Sequence, residues 1–188
     1  MAVKTMAKNT GTGQYNAGWH ELTISQATDG TWNDKRTIDL HFKDYPENIR
    51  LRVFEARNKT NDEEFKIANL FRFACAGIIS VLNDPTGKSP VIQYDDEVTN
   101  LVDTHINVLF VKEVSTTDGK EYSRAFDFAP IVQETEHITW TADDVERLKK
   151  NAEKQYSNFT KSKVSTNGIG SVTVKTTTST TGDAEIPF

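Results

Sequence analysis

Three successive segments carry apolar side chains at every second position, and the next carries them at every third and fourth. That switch of period fixes the broad class of the chain. Between Arg36 and Lys43, Ile38, Leu40 and Phe42 alternate with Thr37, Asp39, His41 and Lys43, as a strand with one buried face requires. Leu22 and Ile24 alternate in the same way between Trp19 and Gln26, with a turn expected at Asp29-Gly30. A third strand follows Pro46, with Ile49, Leu51 and Val53 inward and Arg50, Arg52 and Phe54 outward.

The helical period begins after Asn61 or Asp62, either of which can cap a helix whose first turn gains from Glu63 and Glu64. Ile67, Leu70, Phe71, Ala74, Cys75, Ile78, Ile79 and Leu82 form its stripe, and the helix is expected to end near Asn83-Asp84-Pro85. An acidic loop (Asp95, Asp96, Glu97) leads into a Val, Ile, Leu and Phe-rich run from Thr104 to Val114. The turn Asp118-Gly119 and a run from Tyr122 to Val132 complete a hairpin. Thr141-Ala142-Asp143-Asp144 opens a charged helix reaching about Gln155.

Three strands, a helix, two strands and an appended helix make a mainly β chain. The order is that of the five-stranded OB-fold, a Greek-key barrel with a helix between strands 3 and 4. A generic α+β sheet domain gives the same string. The expected organisation is a flexible arm at 1–14, the barrel with its C-terminal helix at 15–156, a Ser/Thr-rich disordered linker at 157–182 and a terminal peptide at 183–188. Between Ser162 and Thr181 eleven residues are Ser or Thr, too polar a composition to offset the entropy of ordering.

Enzymatic chemistry finds no foothold in these residues. Gly87-Lys88-Ser89 ends like a phosphate loop, but Leu82 stands where the first glycine belongs and Pro90 stops the helix that should follow. His20, His41, His105 and His137 lack metal-ligand spacing. The single cysteine, Cys75, permits no internal disulfide and falls on an apolar stripe. No enzyme, metal or cofactor is expected. The run from Phe71 to Leu82 is too short and too interrupted to cross a bilayer, and Met1 to Gln14 has no apolar signal core. A cytoplasmic protein without a membrane partner is expected.

Net charge is −5, yet it is unevenly placed: 11 basic and 10 acidic side chains over residues 1–82, 5 and 14 over 83–148, 6 and 3 over 149–188. A polyanion is therefore to be sought in the first half. There Arg50, Arg52 and Phe54 point outward beside His41 and Lys43, with Trp32, Lys35 and Arg36 at the turn between strands 1 and 2 and Arg57 beyond strand 3. Cations that track phosphates next to rings that stack on bases suit single strands. Any exposed strand face also shows alternating Arg and Lys, and the C-terminal helix is an alternative cover for Phe54. Trp19 and Trp140 are expected to pack, as are Phe65, Phe71 and Phe73. Tyr122, Arg124, Phe126 and Phe128 share one face, which is either core or an extension of the groove.

The chain ends Asp183-Ala184-Glu185-Ile186-Pro187-Phe188. This resembles the terminus of bacterial single-stranded DNA-binding proteins, an acidic cluster followed by Ile-Pro-Phe after a low-complexity linker. A chance match at the last three positions is on the order of one in several thousand. Residues Glu63 to Gly77 resemble the helix of small phage-encoded members with an OB-fold. The resemblance implies sequence-independent binding and protection of single-stranded DNA in replication, recombination or repair, in the bacterial host cytoplasm if phage-encoded. It also implies that Asp183, Glu185, Ile186, Pro187 and Phe188 dock partner proteins. Oligomeric state is left open. The rival expectations are a protein-interaction adaptor or virion component on the same scaffold, and an OB module for oligosaccharide.

Overall fold

The computed structural model describes residues 15–82, 90–115 and 117–167, the side chains of 162–167 excepted. The expected arm, Gly87-Lys88-Ser89, most of the linker and the terminal peptide lie outside the described residues.

The chain is mainly β. Strand β1 (Gly18–Trp32), β2 (Lys35–Phe42), β3 (Arg50–Phe54), β6 (His105–Val114) and β7 (Glu121–Ala129) form one antiparallel sheet in the order β3-β2-β1-β6-β7. β3 and β7 approach one another but share no ladder, so the sheet is not closed. Between β3 and β6 come helix α1 (Lys66–Ala74), a two-stranded hairpin of β4 (Ile78–Leu82) and β5 (Val91–Tyr94), and a 3₁₀ turn at Val98–Leu101. A small hairpin of β8 (Gln133–Glu134) and β9 (Thr139–Trp140) leads to helix α2 (Ala142–Asn167).

β1 is one strand with two partners. Gly18 to Thr23 pair with β6, Ile24 to Trp32 pair with β2, and the register slips between Ile24 and Gln26. A bulge adds one residue and sharpens the twist, which lets β1 turn from one ladder to the other. The expected turn at Asp29-Gly30 is corrected: both residues are inside β1, opposite Ile38 and Thr37. The reversal is at Asn33-Asp34, with φ of 50° and 60°, the left-handed pair that a two-residue hairpin needs and that Asn and Asp tolerate.

One face of the sheet and α1 enclose the core. Ile38, Leu40, Leu51, Val53, Ile106, Val108 and Phe110 meet Ile67, Leu70 and Phe71 there, all nearly inaccessible. Lys66 Nζ lies 2.6 Å from Asp127 Oδ1 and pins the start of α1 to β7.

α1 is shorter than expected at both ends. Neither Asn61 nor Asp62 caps it; Phe65 is the N-cap, and the Glu64 carboxylate accepts the Ile67 and Ala68 N–H groups at 2.8 and 2.9 Å. Phe65 is exposed rather than packed. At the other end Cys75 is left-handed (φ 50°) and the Ala76 N–H reaches the Phe71 carbonyl. Cys75 is thus a half-buried cap, not a stripe residue. Ile78 to Leu82, expected as helix, is strand β4. Ile78, Ile79 and Val81 are β-branched and favour a strand, and Gly77 breaks the period. A Cβ at Gly77 (φ +63°) would stand 2.3 Å from the Asp95 carbonyl oxygen, whose residue donates its N–H to the Gly77 carbonyl.

α2 continues to Asn167, beyond the boundary expected at 156, so the start of the linker segment is helical. Among the described residues no helix is long and apolar enough to cross a membrane.

Gly77→Ala should lower unfolding stability in urea by about 2 kcal/mol or more, combining left-handed strain with steric conflict. Gly119→Ala, at a similar φ of +68° but in open space, should lose less. Equal losses would contradict a close approach at Gly77.

Candidate nucleic-acid interface

The two faces of the sheet meet different neighbours. On the side away from the core, α2 lies across β7, β6 and the first half of β1. Phe126 meets Tyr156 and Phe159 at ring separations of 4.8 and 5.8 Å. The Tyr156 hydroxyl donates to the Lys112 carbonyl. Trp19 donates its indole N–H to Glu153 and stacks beneath Lys149. β6 is consequently buried on both faces. Trp140 is buried against Phe73, and Trp19 is half-covered.

The second half of β1 with β2 and β3 presents the remaining outer surface. The ladders place Gln26, Thr28, Gly30 and Trp32 beside Lys35, Thr37, Asp39 and His41, and these beside Phe54, Arg52 and Arg50. Trp32 and Phe54, 53% and 37% exposed, meet edge to face with centroids 5.6 Å apart. They flank Thr37, which is 4% exposed between Gly30 and Phe54. A Cβ on Gly30 would come within 3.1 Å of the Thr37 hydroxyl, so the small residue lets Thr37 lie flat beneath the rings. Among the described residues the α2 side chains meet β7, β6 and Trp19, while the Phe54 ring stays partly open.

Cations continue this surface along β2 and β3. From Lys35 to Lys43 the stripe is about 27 Å long, at roughly 3.4 Å per residue. Its charges are matched from within. Arg52 donates from Nε and Nη2 to the two Asp39 oxygens at 2.6 and 2.7 Å, and Arg50 stands 3.5 Å from the same carboxylate. Lys43 pairs with Asp103 at 2.7 Å. Glu55, held below the ordinary carboxylate range chiefly by Arg57, also feels Lys35. His41 lies opposite Arg50, and its Nδ1 is buried without a hydrogen bond.

Two expected members leave the group. Arg36 has the parity of Ile38 and Leu40 and therefore lies on the core side, beyond the end of the core. There it grips Asp29 at 2.7 Å and also Asp96, whose carbonyl it reaches too. It is a latch between β1 and the loop after β5, and both carboxylates raise its basicity further. Arg57 lies past β3, tied to Glu55 and to Asp62.

The open choice at β7 is decided by a second bulge. Leu109 pairs with Asp127 and Phe110 with Ala125, leaving Phe126 unpaired. Ser123, Ala125 and Phe128 turn inward, while Tyr122 and Arg124 bond Glu113 on the surface. The four residues do not share one face. Among the described residues no three His, Cys, Asp or Glu side chains gather as a metal site. Asp96 and Asp103 of the acidic region are taken by Arg36 and Lys43.

Two features were not anticipated from sequence. Asp39 was visible only as an outward polar residue, because the register that sets it against Arg52 is a tertiary fact. The outward Ile79 and Leu82 of the β4–β5 hairpin are masked in the sequence by their helical spacing, and Val91, opposite Leu82, follows Pro90 with no pattern of its own.

Asp39 is held below its ordinary pKa of 3.8 by hydrogen bonds from Arg52 and by the charges of Arg52 and Arg50. Its carboxyl therefore stabilises the fold above that value, and the contribution disappears as pH falls through the lower folded value. Asp39→Asn should consequently show a smaller drop in Tm than the parent between pH 4 and the acid transition. Parallel drops would contradict the pairing. No protein-family model and no curated protein matches the chain, so the meaning of this surface rests on its geometry.

Proposed function

We propose that the chain is a non-enzymatic single-stranded-DNA-binding protein, with the strand lying across the outer surface of β1, β2 and β3. The observation that carries this is the exposed Trp32–Phe54 pair at one end of a cation stripe, on the half of the sheet that α2 leaves bare. Aromatic faces take bases of any identity, at about 1 to 3 kcal/mol per base, and Arg and Lys follow the backbone. Duplex DNA keeps its bases stacked inward and offers these rings nothing to grip. Sequence preference is therefore low.

The strand order, with a helix between the third and fourth strands of the sheet, supports an OB-type barrel opened between β3 and β7. In that fold the groove crosses strands two and three, where Lys43, Arg50, Arg52, His41 and Phe54 stand. The working set is Trp32, Lys35, His41, Lys43, Arg50, Arg52 and Phe54, without Arg36. The similarity of the terminal peptide to bacterial single-stranded DNA-binding proteins supports a phage-type member. In it Asp183, Glu185, Ile186, Pro187 and Phe188 dock replication, recombination or repair proteins in a bacterial cytoplasm.

The adaptor reading draws on a different observation, the exposed Ile79, Leu82 and Val91 of the β4–β5 hairpin. Titration with oligo-dT and with an equal-length duplex, followed by tryptophan fluorescence at two salt concentrations, separates the readings. Tight, salt-sensitive quenching by the single strand alone is expected, with Trp32→Ala removing most of the quench. Arg50→Ala with Arg52→Ala should weaken binding and flatten its salt dependence. Absence of binding to oligo-dT would favour the adaptor.

A further inference from the structure

Resting on the single-strand reading above, we propose that Asp39 is a built-in competitor for nucleic-acid phosphate. It holds the arginines of the groove in an ion pair that a bound strand must replace. Asp39 occupies the central strand of the three that form the surface, with Thr28 opposite it on β1 and Arg52 on β3. Its two oxygens take the Nε and Nη2 fork of Arg52 at 2.6 and 2.7 Å, while Arg50 approaches to 3.5 Å. A carboxylate and a phosphate present the same pair of acceptor oxygens to a guanidinium. Asp39 therefore stands where a backbone phosphate would be received.

The exchange is feasible because the two sides of the pair differ in exposure. The Asp39 side chain is 16% exposed, whereas Arg50 and Arg52 are 49% and 34% exposed. The guanidinium groups are open to an incoming anion, and the carboxylate beneath them is anchored in the sheet. A phosphate drawing them outward leaves Asp39 facing Thr28 and solvent, at a modest electrostatic cost. Lys43 also pairs with a carboxylate, Asp103, about 14 Å further along at roughly 3.4 Å per residue, although there the carboxylate is the more exposed partner, 73% against 53%. Each such carboxylate lowers the gain from adding a phosphate, so the surface keeps its cations oriented while holding the strand less tightly than its cation number implies.

Electrostatics gives the sign. Asp39→Asn removes the competing charge and retains a side chain of the same shape. Its affinity for oligo-dT at low salt should rise about fivefold, the worth of one pair of charges at about 4 Å in water. The logarithmic salt slope should steepen by about 0.7 for each phosphate newly matched on a single strand. Asp143→Asn, on the exposed first turn of α2, makes the same change in net charge away from the surface and should bind like the parent.

The test measures oligo-dT binding by the full chain and these two variants across a salt series, with circular dichroism to check folding. Asp39→Ser serves as a second variant should Asn disturb the sheet. Tighter binding and a steeper slope for Asp39→Asn, with Asp143→Asn unchanged, are expected. Binding by the parent with equal or weaker binding by both Asp39 variants would overturn the competitor role. Equal tightening by Asp39→Asn and Asp143→Asn would do so too, because bulk charge would then suffice. Failure of every form, parent included, to bind oligo-dT would overturn the single-strand reading and the competitor role with it.

Discussion

β1 has to satisfy two ladders at once, and the bulge between Ile24 and Gln26 is how it does so. The first half of the strand belongs with β6 and β7, the second with β2 and β3. A uniform fifteen-residue strand would keep both sets in one gently twisted sheet. The extra residue instead turns the second half, so that the two groups wrap toward one another around Leu40, Leu51, Val108 and Phe110. The division of the outer surface follows. α2 covers the β6–β7 side through Phe126, Tyr156 and Trp19, and the β2–β3 side is left with its rings and cations facing solvent.

How far the sequence discloses this depends on the range of the interaction involved. Alternation at Ile38, Leu40 and Phe42, or at Leu51 and Val53, is local and survives into the fold unchanged. Helical spacing at Ile78, Ile79 and Leu82 is equally local and misleads, because β-branched side chains after Gly77 fit a strand with the same residues. Arg36 shows the limit most clearly. It lies beside Trp32 and Lys35 in sequence, yet the parity of β2 sends it to the opposite face, where Asp96 from sixty residues away receives it. The turn at Asn33-Asp34 is local too, since Asn and Asp tolerate the left-handed region, whereas the glycine of Asp29-Gly30 serves the packing of Thr37.

The site was half legible for the same reason. Which residues point outward on β2 and β3 follows from a period of two, and Trp32, Phe54, Arg50 and Arg52 do stand together. The acidic partners do not follow from it. Asp39 meets Arg52 through strand register, and Lys43 meets Asp103 across the connection before β6. A surface with four cations therefore behaves as one with fewer. Exposed ion pairs contribute only about 0 to 1 kcal/mol each, so a polyanion that makes the same hydrogen bonds several times over can displace them. The terminal Ile-Pro-Phe is a different kind of signal: it needs no folded context, and its meaning comes from resemblance alone.

The most direct test of the central claim is the indole N–H signals of the three tryptophans in a nitrogen–proton spectrum during addition of oligo-dT. Trp32 stands on the proposed surface, Trp19 donates its N–H to Glu153 beneath α2, and Trp140 is buried against Phe73. A saturable shift or broadening at Trp32, with Trp19 and Trp140 unmoved, is the predicted result. A shift at Trp19 with Trp32 unmoved, or three unmoved signals at saturating oligo-dT, would contradict binding across β1, β2 and β3.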